Sequence, residues 1–363
     1  MFTPRYLKQS QLLHAHAVKL LRYRSDVLSE PVLAELRLQT DGLGDAIKDR
    51  DRTAVKDRTE KLEALYGRHL APPDHAAWRE NCEVILVAII VAVGVRSYFL
   101  QPFKIPTGSM QPTLNGIIGH PMKEASPNII RKIGEFLVLG RNYIDVVSAQ
   151  DDRVVQIATK KFGFFLTWSE IICEKQRILV YAPPDTLRQD FHVVSGNRYK
   201  AGEVIARGAV DTGDQVFVDK FSYNFIKPRR GDVFVFRTDG ISAIASDPET
   251  GSPFFIKRLA GEPNDTLRID PPYLYQNGKV AERFGFKRVM AAQAPYRGYS
   301  RGNANLASPE QTFTVPDDAY FAMGDNSYNS YDSRYWGPVP EENLVGRGLL
   351  VYWPFTWHWG FIR

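Results

Sequence analysis

Cysteine is nearly absent. Cys82 and Cys173 are the only two in 363 residues, too few and too far apart for a zinc site or a disulfide framework. Histidine is sparse and scattered, at 14, 16, 69, 75, 120, 192 and 358, and His14 and His16 stand two apart rather than at the helical spacing of four. No metal is therefore assigned. Charge of one sign is also lacking: 46 basic and 41 acidic residues leave a net +5, with no run of five or six Lys or Arg to announce nucleic acid. The small excess suits a weak preference for anionic membrane surfaces. What is plentiful is apolar side chain, 44% of the residues, which excludes a disordered chain and supports a core in one large domain or two to three ordinary ones.

One long apolar run stands out. Val84 to Val95 carries neither charge nor proline, and alone it is shorter than a spanning helix needs, so a buried or re-entrant helix competes with a membrane span. Extension through Arg96, Ser97, Tyr98, Phe99 and Leu100 favours the span, with Arg96 snorkelling to one interface and the two aromatics at headgroup depth. The run begins some eighty residues in and lacks an AxA-like exit, which is unlike a secretory signal. Before it, Leu12 to about Leu70 is charged and helical in rhythm, with Val55, Leu62, Leu65 and Tyr66 on one apolar face. Pro31, Gly42 and Gly44 are expected to break this region into pieces.

After Gln101 the pattern turns to β. GDQVFVDKF (213–221) and GDVFVFR (231–237) each open on a Gly-Asp turn and continue in period-two alternation. Asn277-Gly278 in YLYQNGKV is a strong hairpin signal, and AYFAM (319–323) reads as a further strand. The C-terminal WPFTWHWGFIR offers two compatible readings, interfacial anchoring by Trp353, Trp357, Trp359 and Phe361 or a last strand packing one face inward.

Three stretches carry candidate chemistry. Ser109 lies in PTGSMQPTL, directly after the apolar run, with no nearby histidine in the sequence to activate it. A serine can instead be activated by a lysine held neutral. In SPFFIKRLAGEPND, strand alternation places Lys257 between Phe255 and Leu259 on an apolar face, with Arg258 pointing the other way. Holding a lysine of ordinary pKa near 10.4 neutral at pH 7.5 costs about 4 kcal/mol, so the chemistry requires desolvation. The competing role is a gatekeeper lysine on an edge strand. GDNSYNSYDSRYWGPVP (324–340) is either an exposed turn or a buried polar network.

Taken together and in this order, the apolar segment, PTGSMQPTL, GDQVFVDKFSY with RGDVFVF, FIKRLAGEPND and GDNSYNSYDSRYWGPVPEENLVGRG resemble the bacterial type I signal peptidases. These are membrane-bound Ser-Lys endopeptidases. The resemblance covers most of the chain after residue 84 except one long insertion. It implies a mainly β fold: an antiparallel β-rich catalytic domain over 102–363, with an inserted subdomain at about 115–212, a transmembrane helix at 83–101 and a helical cytoplasmic extension over 1–82.

It further implies Ser109 as nucleophile and Lys257 as general base, with the Ser109 backbone N–H and the Thr107 hydroxyl in the oxyanion-hole positions. Ser330 matches the serine that orients the lysine, and Asp332 and Arg334 the ion pair bracing the site. Met110 and Pro112 read as packing and loop rigidity. No cofactor is implied. The implied partners are signal-peptide-bearing preproteins and the lipid bilayer, without nucleic acid. The implied location is the cytoplasmic membrane, single-pass, with the catalytic domain on its outer face. An impaired membrane-anchored scaffold and a processing peptidase dedicated to one partner are the alternatives.

Three departures from the family pattern carry expectations. Ser327 and Tyr328 stand where an Arg-Asp pair is usual, removing a bracing charge contact. Asn264 replaces a glycine, in a turn whose left-handed backbone asparagine tolerates. Glu262 brings a carboxylate that would raise the lysine pKa if it faced Lys257. The insertion far exceeds an ordinary loop. Its RVVQIAT, KKFGFFLTW and RILVYAP runs suggest a β-rich subdomain whose role is open among a specificity lid, a docking face and a neutral elaboration.

Overall fold

A computed structural model describes the whole chain except residues 1–3, 27, 70–75, 163–165, 242–243 and 245–253. The middle of KKFGFFLTW and the first two residues of SPFFIK lie outside the described residues. The chain divides into two compact units, residues 1–89 and 90–363.

The first unit holds three helices, α1 (Arg5–Arg24), α2 (Glu30–Asp49) and α3 (Arg52–His69). Val55, Leu62 and Leu65 are buried against Leu36 and Leu43, so the apolar face read from the sequence is the packed one. Pro31 sits in the first turn of α2, where its missing N–H removes no helical bond. Gly42 and Gly44 do not break the helix as expected; they lie inside α2. The reason is steric, because a Cβ on Gly44 would stand 2.7 Å from His14 Nε2, so glycine is what lets α1 approach α2. Helix α4 (Ala76–Tyr98) contains a stretch, Trp78–Tyr98, long and apolar enough to cross a membrane and 0% buried.

Strand β1 (Leu100–Lys104) follows directly. The long insertion then forms β2 (Ile118–Pro121), α5 (Ile129–Leu139), β3 (Arg141–Val147), β4 (Asp152–Phe162), β5 (Leu166–Cys173), β6 (Arg177–Val180), α6 (Pro184–Gln189), β7 (Arg198–Tyr199) and β8 (Val204–Asp211). These strands make a three-stranded sheet, β2-β8-β3, and a four-stranded one, β6-β5-β4-β7. Both drain into one core of Ile144, Val154, Ile171, Leu187 and Val210.

The chain then re-enters the main sheet with β9 (Gln215–Asp219), β10 (Val233–Arg237) and β11 (Phe254–Gly261). A second four-stranded sheet follows, of β12 (Thr266–Asp270), β13 (Tyr273–Gln276), β14 (Lys279–Val280) and β15 (Phe313–Thr314), with α7 (Phe284–Met290) packed on it. Asn277 and Gly278 both take positive φ, +52° and +79°, and close the β13–β14 hairpin as expected. The last elements are β16 (Ala319–Met323), α8 (Ser333–Trp336), β17 (Val339–Pro340), β18 (Leu344–Trp353) and β19 (Gly360–Phe361).

The main sheet runs β1-β9-β18-β10-β11-β16-β17, with β19 on β18, and its pairings are antiparallel. Strand β10 departs from the half-exposed alternation of the sequence reading: Val233 to Phe236 are all buried. One face contributes Val233 and Val235 to a core with Met110 and Val351, and the other places Phe234 and Phe236 against Tyr320 and Trp336. A centre buried on both sides is what a dry functional group needs.

Leu62 is fully enclosed in the helical unit, so Leu62→Ala should cost that unit about 2–5 kcal/mol. Differential scanning calorimetry should show the helical transition shifting down while the β-unit transition holds; coincident shifts would contradict separate cores.

Candidate active site

The loop between β1 and β2 carries Ser109 in a single 3-10 turn, Gly108–Met110. Met110 is fully buried and anchors this turn in the core beside Ile105, Leu114 and Val216. The turn's carbonyls are held from outside. Asn326 donates its backbone N–H to Ser109 O at 3.0 Å and its side-chain amide to Gly108 O at 3.1 Å. Pro112 O lies 3.0 Å from His358 Nε2, and His358 Nδ1 lies 2.9 Å from the Asp214 carboxylate. That carboxylate also accepts the Asn115 N–H at 2.6 Å. Neither His358 nor Asp214 was recognised in the sequence as part of this site.

Lys257 sits opposite Phe234 in the β10–β11 ladder, only 5% exposed, and its Nζ donates to Ser109 Oγ at 2.6 Å. Ser109 is itself buried. Phe255, two residues back on the same face, presents its ring 5.8 Å from Nζ. Burial pushes the Lys257 pKa down to about 8; Asp332 and Asp325 pull it up and Arg334 pushes it down, but loss of water dominates. At pH 7.5 a neutral amine then costs about 1 kcal/mol, against about 4 for a free lysine.

Arg258 points to the opposite face of β11, as alternation expects, but that face is also buried. Its guanidinium grips Asp325 with two bonds, Nε to Oδ1 at 2.8 Å and Nη2 to Oδ2 at 2.7 Å. Nη2 also donates to Thr113 Oγ1 at 3.1 Å, and Thr113 donates a short hydrogen bond to Asp325. The pair thus ties β11 and the 324–332 loop to the serine loop. Gly285 makes room for it, since a Cβ there would stand 2.2 Å from Arg258 Cζ.

A second two-bond pair joins Arg334 to Asp332, at 2.7 Å on both arms, with both side chains fully buried. Asp332 also accepts the Gly324 N–H at 2.9 Å. The 324–340 stretch is therefore a buried polar network rather than an exposed turn. Ser327 and Tyr328 do not leave Arg334 short of contacts: its Nη1 donates to Ser327 Oγ and Ser300 Oγ at 2.8 and 2.6 Å, and its Nη2 to Ser327 O at 2.7 Å. Hydroxyls and a carbonyl supply acceptors here.

Thr107 Oγ1 lies 3.5 Å from Ser109 Oγ, and the Ser109 N–H donates to no acceptor among the described residues. An uncommitted donor beside a nucleophile is what an oxyanion site needs. Ser330 is not joined to Lys257. Its buried hydroxyl has no hydrogen-bond partner among the described residues. It packs where any side chain on residue 324 would go, 2.1 Å from a Cβ built on Gly324. Glu262 does not face the lysine either, because its carboxylate accepts the Arg230 N–H at 2.7 Å and is absent from the charges acting on Lys257. Asn264 takes φ +67°, the left-handed backbone expected of it. Both cysteines are free.

The arrangement is a hydroxyl and a dry amine in hydrogen-bond contact, flanked by buried charge pairs and an unused backbone donor. The family profile "Signal peptidase, peptidase S26" matches residues 192–353, which include Lys257 but not Ser109. The chain is 37% identical over 142 residues to "Probable signal peptidase I-2" of Synechocystis sp., a match covering 39% of this chain and 56% of that protein. It is 33% identical over 149 residues to "Signal peptidase I V" of Bacillus subtilis, covering 41% of this chain and 80% of that one. A solved signal peptidase I from Enterococcus faecalis is 28% identical, over 34% of this chain and 97% of that chain, with a TM-score of 0.25. The chain belongs to the signal peptidase I family.

Two outcomes follow from the buried charges. Asp325→Asn leaves the Arg258 guanidinium buried without its counter-charge and should destabilise the β unit by about 3–5 kcal/mol in denaturant unfolding. For Lys257, an unfolded pKa of 10.5 against about 8 when folded means that between these values the unfolded chain binds the extra proton. The contribution of Lys257 to stability should therefore be flat below pH 8 and climb from there to pH 10.5, by about 3 kcal/mol in all. The advantage of Lys257→Met over wild type should shrink across that window; a constant advantage would mean the amine is wet.

Proposed function

We propose that the protein is a membrane-bound serine endopeptidase that removes signal peptides from exported preproteins through a Ser109–Lys257 dyad. The observation that carries this reading is the 2.6 Å contact between Lys257 Nζ and Ser109 Oγ inside a site where the amine's pKa is near 8.

The neutral amine takes the Ser109 proton as Oγ bonds to the carbonyl carbon of the scissile peptide. Negative charge moves to the carbonyl oxygen, where the Ser109 N–H and the Thr107 hydroxyl receive it. Collapse breaks the C–N bond, and the Lys257 ammonium gives its proton to the departing amine. Water, deprotonated by the same amine, then releases the acyl chain and restores the serine. Asp332 and Arg334 hold the shape of the 324–334 loop, and Asn326 of that loop holds the serine turn. No metal or cofactor enters any step.

Position supports the substrate class. Signal peptides end beside the bilayer, and Ser109 follows Leu100 by nine residues, within about 30 Å of it even at full extension. In this reading α4 crosses the cytoplasmic membrane once, and the site lies on the outer face.

Purified full-length protein in detergent or vesicles, given a preprotein with an AxA site, should cleave it at that site. Ser109→Ala and Lys257→Ala should each lower kcat/KM by about 10³-fold or more. The wild-type kcat/KM should rise with pH through a midpoint near 8, since the base is active when unprotonated. Binding without cleavage would replace this reading with that of a scaffold.

A further inference from the structure

Helix α5 leaves its apolar face uncovered. Ile129, Ile130, Ile133, Phe136 and Leu137 fall on one face by helical spacing, yet all are exposed, Ile130 by 79% and Ile129 by 67%. On the opposite side Glu135, 17% exposed, accepts from Arg131 at 2.6 Å and takes a short hydrogen bond from Tyr143 of β3, while Arg131 itself stays exposed. The helix is well terminated at both ends: the Asn128 side chain caps its start, and Gly140, at φ +63°, closes it. A formed helix with its greasy face in water lacks its partner.

The exposed face does not stop at α5. Trp353 donates its indole N–H to Leu137 O at 2.8 Å, and the Phe355 N–H donates to Val138 O at 2.8 Å. Phe136 and Trp353 meet edge to face at 5.7 Å. Phe355, Trp357, Trp359 and Phe361, all more than half exposed, follow in the same C-terminal segment. Aliphatic helix and aromatic segment thus form one ledge.

We propose that the ledge is a bilayer-docking surface, with α5 lying in the plane of the phospholipid headgroups. Three features select lipid over a protein partner. The residues are the mixture that interfaces favour, aliphatic side chains on a short amphipathic helix beside exposed tryptophans. By helical spacing Lys132 lies one turn before Phe136, at the edge of the apolar face, where a lipid phosphate would meet its ammonium. The chain itself carries a span-length apolar helix, so a bilayer is held close by a covalent tether. This assigns a role to the inserted segment: it props the domain against the membrane at a second point. The proposal rests on the membrane-anchored reading of α4, and the experiment separates the two.

The test uses full-length protein with Cys82→Ser and Cys173→Ser, reconstituted in phosphatidylglycerol–phosphatidylethanolamine vesicles. An NBD fluorophore is attached at Ile130→Cys or, on the opposite side of the same helix, at Arg131→Cys, where the native side chain is 66% exposed. Shallow nitroxide lipids should quench the label at 130 several-fold more than at 131, and iodide should fail to reach it. Failure of α4 to insert would show separately, as loss of co-flotation with the vesicles. Co-flotation with a label at 130 as wet as that at 131 would overturn the proposal. So would burial that appears only with added preprotein, or that vanishes on diluting the protein in lipid, the signs of a client groove and a copy–copy contact. Both Ile130 and Ile133 are exposed, so Ile130→Glu with Ile133→Glu should leave cleavage of a short soluble peptide intact. The same variant should lower cleavage of a vesicle-embedded preprotein about tenfold or more.

Discussion

The site depends on keeping water away from one amine. Around Lys257 the carboxylates of Asp325 and Asp332 would restore its proton, and the Arg334 guanidinium opposes them. Arg334, locked to Asp332, offsets the pull of its partner, and dehydration is the largest influence on the amine. The two-sided burial of the main sheet has its reason here: a half-wet sheet would leave Lys257 solvated and inert.

The buried pairs also serve as fasteners. Residues far apart in sequence converge on the serine turn, and charge-assisted bonds fix them with little slack. Arg258 and Asp325 connect strand, loop and Thr113; Asp332 and Arg334 hold the loop's own shape. Gly324 lets the layers touch, since a Cβ there would also stand 2.6 Å from Ser109 O. Such networks tolerate partial loss badly, as every member desolvates its neighbours.

Much of this was legible in the sequence, for local reasons. Period-two alternation placed Lys257 on an apolar face, Asn277-Gly278 marked its hairpin, and the rhythm of Val55, Leu62 and Leu65 gave the packed face of α3. What escaped was non-local. Asp325 and Thr113 lie 67 and 145 residues from Arg258, and His358 lies 246 from Pro112, so no window of sequence joins them. Ser300 entered the Arg334 network from an irregular loop without a motif. Gly42 and Gly44 misled because propensity penalises glycine in helices, whereas close helix approach requires it. Helix α5 was overlooked inside a stretch read by its β runs, although its i, i+4 pattern was there to find.

The pairing of Ile118 with Asp211 has a wider bearing. Strand β8 brings the last residues of the inserted stretch back beside its first, so the excursion is self-closing. To the rest of the chain it behaves as a short staple rather than a long slack tether, and the entropy of joining Ser109 to a lysine 148 positions away is correspondingly reduced. With the detour closed on itself, Ser109 and Lys257 stand as near neighbours along the shortened path of the chain.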